Sequence, residues 1–246
     1  MMRTLKVISL LLSYPTAELQ SGARDLRVVL DQEGFVPKPW RAGLDGLIED
    51  IATGDLYDLQ ERYVLLFDRT RSLSLHLFEH VHGEGRDRGQ AMIDLQNLYA
   101  AQGLEIGARE LPDFLPLFLE FLSLRPDAEA RELLCQTAHI LEALAERLRK
   151  RKSVYDYAFR ALVALARAKT ERAQIDALLD QPDPEPTDLA ALDAAWEEAP
   201  VTFGPSSKDG CKDEFIARIR AAGRPAPDLP RCTTRPILPT RGTSHA

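Results

Sequence analysis

The sequence predicts an all-α protein on three observations. Apolar residues recur at three- and four-residue intervals from the N-terminus to about Asp180. Alternating apolar and polar runs bounded by turn dipeptides, which are typical of strands, are nearly absent. Glycines and prolines stand between the apolar stripes, where helices begin and end. We therefore expect a single helical-bundle domain over residues 1–180.

Four helices are predicted in the first part of the chain. An apolar stripe over residues 5–12 stops at Pro15, and a second helix spans about residues 16–34. Apolar residues at helical spacing over residues 40–51 mark a third helix, and a fourth follows Gly54. The apolar face of this fourth helix consists of Leu56, Leu59, Tyr63, Leu66 and Phe67.

The middle of the chain predicts shorter helices. Residues 75–81 form a helical turn or two, and Asp87 can cap a following helix that ends at Gly103. Pro112 fits the first position of a strongly apolar helix, where its missing N–H costs nothing. Asp113 would then complement the positive end of the helix dipole.

The last helices precede a change of character. The longest helix is predicted over residues 126–152, and Ser153 can cap one more through about Lys169. Ten of the sixteen prolines lie in the last 66 residues, so we expect little regular structure there. Residues 181–204 predict a short amphipathic helix and docking segment, and residues 205–246 predict a disordered tail whose deletion leaves folding intact. The apolar residues of the docking segment are Leu189, Leu192 and Trp196.

Composition excludes several classes of protein. The net charge of -7 argues against a nucleic-acid partner, because such binding neutralises phosphates with Lys and Arg. No apolar run approaches the about 20 residues that span a bilayer, so no stable membrane insertion is expected. The apolar stretch near the N-terminus lacks the cleavage site of a secretory signal. The cysteines show no C-x-x-C spacing and fit a reducing cytoplasm, where we expect the protein to act. They are Cys135, Cys211 and Cys232.

Residues 79–92, E-H-V-H-G-E-G-R-D-R-G-Q-A-M, form the densest polar and glycine-rich cluster of the chain. A metal site is one interpretation, since His76, His80 and His82 read H-x3-H-x-H. The spacing is not that of H-E-x-x-H, and no thiol or acid pair completes a ligand set. The alternative is that these histidines hydrogen-bond locally and hold a junction between helices.

An anion site is a second interpretation of the same cluster. Gly83 and Gly85 precede Arg86 and Arg88, which could face a phosphate at a helix start. The P-loop pattern is absent and no strand precedes the glycines, so the alternative is pairing of the arginines with nearby carboxylates.

Cys135 fits a small buried side chain better than a nucleophile. We therefore expect no catalytic residue, no metal ligand and no cofactor.

Recognition of another polypeptide is the third interpretation. The helices are rich in leucine, and residues 114–122 are apolar on more than one face. A helix that is apolar all round is buried in a core or lines a groove that a partner fills. A groove rimmed by the polar cluster would suit an amphipathic peptide.

Several of these motifs resemble one family. They are E-R-Y-V at 61–64, the block L-H-L-F-E-H-V-H-G-E-G-R-D-R-G-Q-A-M-I-D-L at 75–95, and E-L-P-D-F-L-P at 110–116. The chain resembles the nitrate reductase molybdenum cofactor assembly chaperones, the delta subunits of respiratory nitrate reductase operons, in the TorD-like chaperone group. The resemblance runs from L-L-S-Y-P at 11–15 to W-E-E-A-P-V-T-F-G at 196–204. It departs after that, because a long extension follows around Cys211.

The resemblance implies an all-helical chaperone of nitrate respiration that is not an enzyme. Its implied partner is the catalytic (alpha) subunit of respiratory nitrate reductase, bound by its N-terminal peptide so that the apo-enzyme stays competent for molybdenum cofactor insertion. Molybdenum cofactor delivery proteins are implied as further partners. The alternatives are a related molybdoenzyme as the client, or a histidine-based metal-binding protein.

The resemblance also places a partner-binding site on the motif residues. The implied client peptide would lie as an amphipathic helix in a groove, with apolar contacts to Tyr63, Phe67, Met92, Leu115 and Phe118. The residues that would orient it are Glu79, His80, His82, Arg86, Asp87 and Arg88, and the implied partner-binding set also includes Gly83, Pro112 and Asp113. Protonation of the histidines would make binding sensitive to pH near neutrality.

Overall fold

The computed structural model of the chain describes residues 1–81, 86–107, 110–185, 187, 188 and 190, and of residues 86 and 87 only the backbone. Every helix or strand element within these residues is helical. One isolated antiparallel bridge, between His76 and Phe114, is the only β-type pairing in this part of the chain. The all-α prediction is confirmed. Most of the predicted docking segment and the whole predicted tail at 205–246 lie outside the described residues.

The N-terminal region contains α1 (Arg3–Leu11), α2 (Ala17–Gly22), a 3₁₀ turn (Ala23–Asp25) and α3 (Leu26–Glu33). The prediction of one uninterrupted helix over residues 16–34 is wrong, because the chain tightens into the 3₁₀ turn after Gly22. Both predicted ends are confirmed. The Thr16 hydroxyl caps α2 by accepting from the Leu19 N–H at 3.2 Å. Gly34 ends α3 with φ +62°, a conformation that glycine adopts without steric cost.

The middle of the chain contains α4 (Lys38–Thr53), α5 (Leu56–Tyr63), a π-helix (Val64–Asp68), a 3₁₀ turn (Arg71–Leu73), α6 (Leu77–Val81) and α7 (Arg86–Ala101). The Asp55 carboxylate caps α5 by accepting from the Tyr57 N–H at 2.9 Å. The predicted fourth helix is therefore present, but its end is π-helical. There the Arg69 N–H donates to the Val64 carbonyl at 2.9 Å, five residues back.

The next helix, α8 (Leu115–Ser123), begins later than predicted. Pro112 does not occupy its first position, and Pro116 stands in the first turn instead. Asp113 does not complement the helix dipole as predicted, because it precedes the helix and is fully buried. The physical reason is a competing partner: the Asp113 carboxylate accepts from the Phe78 N–H at 3.0 Å, which holds this segment against α6.

The C-terminal half contains α9 (Asp127–Gln136), α10 (Ala138–Lys150), α11 (Asp156–Ala166) and α12 (Arg172–Leu179). The predicted helix over 126–152 is two helices, because the Thr137 hydroxyl donates to the Leu134 carbonyl at 2.9 Å at the break between them. The N-cap of α11 is Tyr155 and not Ser153 as predicted, although the Ser153 carbonyl accepts from the Asp156 N–H at 3.2 Å. Sequence analysis missed α12.

The core forms where α1 packs against α8 and where α11 packs against α10 and α4. The Ser9 hydroxyl, buried between α1 and α8, donates to the Pro116 carbonyl at 2.6 Å. Full burial of one apolar side chain in this core contributes about 1.5–3 kcal/mol to the free energy of unfolding. No helix in the described ranges is long and apolar enough to cross a membrane. Fully buried members of this core are Leu5, Ile8, Leu11, Phe118, Leu122 and Leu162.

Two glycines of α4 give a matched prediction about this packing. A Cβ at Gly43 would lie 2.1 Å from the Tyr157 ring, whereas a Cβ at Gly46 would meet nothing within 4 Å. We expect Gly43→Ala to lower the free energy of unfolding by about 1–3 kcal/mol through overpacking. Gly46→Ala should raise it by about 0.5–1 kcal/mol, because alanine loses less conformational entropy in a helix. Urea unfolding of both variants measures this, and equal effects would contradict the packing argument.

Candidate functional site

A buried carboxylate joins the start of α6 to the segment before α8. Asp113 is fully buried, and its Oδ2 accepts from the Phe78 N–H at 3.0 Å. Its Oδ1 lies 3.3 Å from His76 Nδ1. The backbones also pair, since the Leu115 N–H donates to the Leu75 carbonyl at 2.8 Å. We call this set of contacts the Asp113 junction.

The pKa values of two histidines at the junction are shifted in opposite directions. The hydrogen bond to Asp113 raises the pKa of His76. Burial lowers the pKa of His80, whose ring is surrounded by protein. His80 Nε2 lies 2.8 Å from the Ser74 carbonyl, which can only accept, so this nitrogen carries the proton. The junction therefore favours the charged form of His76 and the neutral form of His80.

The polar cluster forms an ion pair at the same place. Arg88 Nη2 on α7 lies 3.3 Å from Glu79 Oε1 on α6, which confirms the interpretation that an arginine of the cluster pairs with a nearby carboxylate. Within the described part of the chain, Glu79 Oε2 is buried and has no hydrogen-bond partner. His82 and Gly83 lie outside the described residues, and so do the side chains of Arg86 and Asp87.

The predicted apolar contacts lie mostly in the core. Leu115 and Phe118 are fully buried, and the exposed fractions of Tyr63 and Phe67 are 7% and 6%. The Tyr63 hydroxyl donates to the Leu12 carbonyl at 3.0 Å, which satisfies it internally. These side chains cannot touch a partner unless the helices separate. Their assignment to a binding site stays a prediction.

Two further predicted residues, Met92 and Pro112, are half-buried. Met92 packs against the core from α7. The Pro112 carbonyl accepts from the Tyr99 hydroxyl at 2.8 Å, so this proline helps to fix the segment before α8. The structure thus brings Pro112 and Asp113 together with Glu79, His80 and Arg88 around the junction.

A surface cleft runs over α5 and the π-helix, on the outer side of the helix whose inner side carries Tyr63. It consists of two depressions, of about 300 and 540 Å³, that share Glu61 and Leu65. Tyr14 and Tyr57 lie at one end with exposed fractions of 46% and 80%. The other end is lined by Leu66, Arg151, Lys152, Val154, Glu185 and Thr187. We call this surface the π-helix cleft.

The π-helix cleft carries an excess of unpaired negative charge. The carboxylates of Asp58, Glu61 and Glu185 form no ion pair within the part of the chain that the structure describes. Two of the three arginines of the cleft are neutralised, Arg62 by Asp50 and Arg151 by Asp183 at 2.7 Å, and the third is Arg69. Three carboxylates without an ion pair therefore share the cleft with two further cations, Lys152 and Arg69, which leaves one excess negative charge. This balance favours a cationic ligand.

Exposed aromatic rings and a π-helix add to the character of this surface. Single π-helical turns are rare and occur often at functional sites. Here the wide turn places Val64 and Leu65, both half-buried, on the outer face of the chain beside Tyr57. An apolar floor with an acidic rim is suited to an amphipathic helix that carries basic residues.

Comparison with known proteins identifies the family. A family model described as "Nitrate reductase delta subunit" matches residues 34–161. The nitrate reductase molybdenum cofactor assembly chaperone NarJ of Escherichia coli K12 is 40% identical over 232 residues, covering 94% of this chain and 97% of that protein. The chain belongs to the nitrate reductase delta subunit family.

Two other relatives of this delta subunit carry related names. The probable nitrate reductase molybdenum cofactor assembly chaperone NarW of Escherichia coli K12 is 38% identical over 210 residues, covering 85% of this chain and 87% of that protein. The probable nitrate reductase molybdenum cofactor assembly chaperone NarJ of Bacillus subtilis is 31% identical over 161 residues, covering 65% of this chain and 86% of that protein. The family match spans the Asp113 junction and most of the cleft, but not Tyr14, Glu185 or Thr187.

No group of three or more His, Cys, Asp or Glu side chains stands close enough to hold a metal ion in the described ranges. The third histidine of the sequence candidate, His82, falls in the gap at 82–85, as do the glycines of the anion candidate. Cys135 is half-buried and unpaired by any disulfide.

Proposed function

We propose that this delta subunit is a chaperone of respiratory nitrate reductase that acts in the cytoplasm. It binds the catalytic (alpha) subunit and keeps the apo-enzyme competent for molybdenum cofactor insertion. The observation that carries this proposal is the 40% identity over 94% of the chain to a chaperone named for that assembly step. Co-purification with the catalytic subunit, with and without its N-terminal segment, tests it. Full capture of the truncated subunit would place the main contact elsewhere.

The proposal extends to the site: the N-terminal segment of the client lies as an amphipathic helix in the π-helix cleft. Tyr57, Val64 and Leu65 would cover its apolar face, and Asp58 with Glu61 would pair with its basic residues. Support comes from the 80% exposure of Tyr57, since large exposed aromatics are enriched among binding residues. The unpaired carboxylates supply the charge complementarity.

The Asp113 junction would support the cleft through a chain of buried hydrogen bonds. His80 contacts the Ser74 carbonyl, and Arg147 donates to the Ser72 carbonyl at 2.7 Å. The Ser72 hydroxyl in turn contacts Asp183, the partner of Arg151 in the cleft wall. The polar cluster is thereby joined to the cleft through residues 72–74. We propose a positioning role for its buried members and direct client contact for its accessible ones.

Substitutions in the cleft give a direct prediction. We expect Tyr57→Ala to weaken binding of a synthetic peptide of the client's N-terminus about tenfold, because it removes an exposed aromatic contact. Glu61→Gln should weaken binding about threefold and reduce its dependence on salt. Calorimetric titration of the peptide into each variant measures both effects.

Matched controls separate the cleft from the rest of the surface. Ile93 is 52% exposed on α7 and Glu105 is exposed, and neither lines the cleft. Ile93→Ala and Glu105→Gln should leave the peptide affinity unchanged. Arg88→Ala tests the polar cluster in the same titration. Loss of binding in Arg88→Ala with normal binding in the cleft variants would move the site to the cluster.

A further inference from the structure

The π-helix cleft lies directly on the path of the chain toward its C-terminus. After α12, the chain is fixed by Arg151, which contacts Asp183 and the Pro184 carbonyl at 2.7 Å each. The next residues, Glu185 and Thr187, line the cleft themselves. The last described residue is Ala190, and 56 residues follow it. A long C-terminal segment therefore departs from the rim of the site.

The C-terminal segment contains the basic and apolar residues that the π-helix cleft is suited to bind. Residues 205–246 contain eight Lys and Arg but four Asp and Glu, a net charge of +4 in a chain of net charge -7. Within it, E-F-I-A-R-I-R-A-A at 214–222 combines apolar and basic residues. Phe215, Ile216 and Ile219 share one face at helical spacing, and Arg218 and Arg220 flank that face.

The connection is long enough for this segment to return to the cleft. Twenty-four residues separate Ala190 from Phe215. A linker of that length spans up to about 80 Å when extended and about 25–30 Å on average when flexible. Because it starts at the cleft rim, the local concentration of the segment at the cleft is on the order of 1 mM.

We infer that residues 214–222 occupy the π-helix cleft of the free protein as an internal competitor of the client. This inference rests on the proposed function. Arg218 and Arg220 pair with the free carboxylates of Asp58 and Glu61, and the apolar face covers Leu65. The client displaces the segment, so binding at the cleft also releases the C-terminal region.

The competition has a measurable size. If the segment alone binds with a dissociation constant on the order of 0.1 mM, a local concentration of about 1 mM fills the cleft about nine-tenths of the time. The apparent dissociation constant of the client is then raised about tenfold, because only the open fraction binds it. Removing the competitor should recover that factor.

The test uses the full chain and charge reversals of equal size. In fluorescence anisotropy with a labelled peptide of the client's N-terminus, the double variant Arg218→Glu with Arg220→Glu should bind about tenfold more tightly than the wild type. The control variant Arg231→Glu with Arg235→Glu carries the same charge change but lacks the apolar face beside it. Its affinity should equal that of the wild type.

A second titration keeps the inference separate from the proposed function. A labelled synthetic peptide of residues 211–223 is titrated into the Arg218→Glu, Arg220→Glu chain, whose cleft is expected to be open. It should bind, and adding Glu61→Lys should abolish binding. If the client peptide binds no variant, the proposed site fails, yet this titration still reports on the segment.

Three outcomes would overturn the inference. The first is equal client affinity in the wild type and both double variants. The second is no binding of the 211–223 peptide to the opened chain. The third is tightening that depends on protein concentration together with a dimer in sedimentation, since the cleft would then hold the segment of a second copy.

Discussion

Arg147→Ala is expected to lower the free energy of unfolding by about 3–5 kcal/mol, because it removes a buried group that partners several backbone carbonyls. Arg147 is 1% exposed. Its guanidinium donates to the Ser72 carbonyl at 2.7 Å and to the Leu178 carbonyl at 2.6 Å. A longer bond of 3.3 Å reaches the Gln181 carbonyl. Alanine leaves these carbonyls without that donor and opens a cavity beside α12.

Arg147 is a buried charge with little compensation by opposite charges. Burial lowers the pKa of its guanidinium, and the nearest compensating charge is Asp183. Asp183 itself pairs with Arg151. The side chain therefore contributes through hydrogen bonds to carbonyls more than through an ion pair. An apolar replacement of similar length, Arg147→Met, should cost less than alanine because it refills the volume.

Urea unfolding near pH 7 measures this prediction, with Arg149→Ala as the control. Arg149 lies on the same helix but is exposed, so its replacement should change the free energy of unfolding by about 0.5 kcal/mol at most. A loss of under about 1 kcal/mol in Arg147→Ala would contradict the role assigned to the buried guanidinium. The same variant should weaken client binding, because Arg147 anchors the segment that leads to Glu185 in the cleft wall.

Helical periodicity was sufficient to predict the fold class and the course of most helices. It works where one face of a helix is buried, as in α4, whose buried residues are Leu44, Leu47, Ile48 and Ile51. Boundaries set by tertiary contacts were not accessible in this way. Nothing local in the sequence indicates that the Asp113 carboxylate binds a backbone N–H 35 residues away, at Phe78, and so delays the start of α8.

The candidate site was only partly predictable for a related reason. The motifs located only one side of the junction, because the polar residues at 79–92 are clustered in sequence, and Glu79 and Arg88 do pair. Leu115 and Phe118, which were assigned to the groove, are fully buried, and composition does not distinguish a groove contact from a core residue. The cleft was missed. The sequence contained one signal of the cleft. Tyr57 does not lie on the apolar stripe of its helix, so its aromatic ring has to face outward.

Asp113→Ala is expected to lower the free energy of unfolding by about 2–4 kcal/mol, because it leaves a buried donor without a partner. The donor is the N–H of Phe78, a residue that is fully buried, and His76 loses its carboxylate as well. Asp113→Asn should cost less, since the amide oxygen can still accept from Phe78. Asp94→Ala on α7 serves as a control at a more accessible carboxylate.

The two Asp113 variants also separate a charge effect from a hydrogen-bond effect through pH. Asp113 raises the pKa of His76 in the folded state above the ordinary value of 6.5. A raised folded pKa contributes stability that is fully present below the unfolded pKa and is lost as pH rises through the folded pKa. The stability difference between wild type and Asp113→Asn should therefore shrink from about pH 6 to pH 8.

The pKa of the neighbouring His80 is shifted in the opposite direction, so its effect on stability must be removed from the comparison. Burial lowers the pKa of His80, so its contribution is lost as pH falls below the unfolded value. Since His80 is present in both proteins, the comparison with Asp113→Asn removes most of its effect. Glu79 and Arg88 act on His76 in opposite senses and are likewise unchanged.

A double-mutant cycle completes the argument. His76→Gln removes the titrating ring, so in that background Asp113→Asn should have the same cost at pH 6 and pH 8. The coupling between the two residues should then be larger at the lower pH, where His76 is charged. A coupling that stays constant across this range would show that the charge of His76 plays no part in the junction's response to pH.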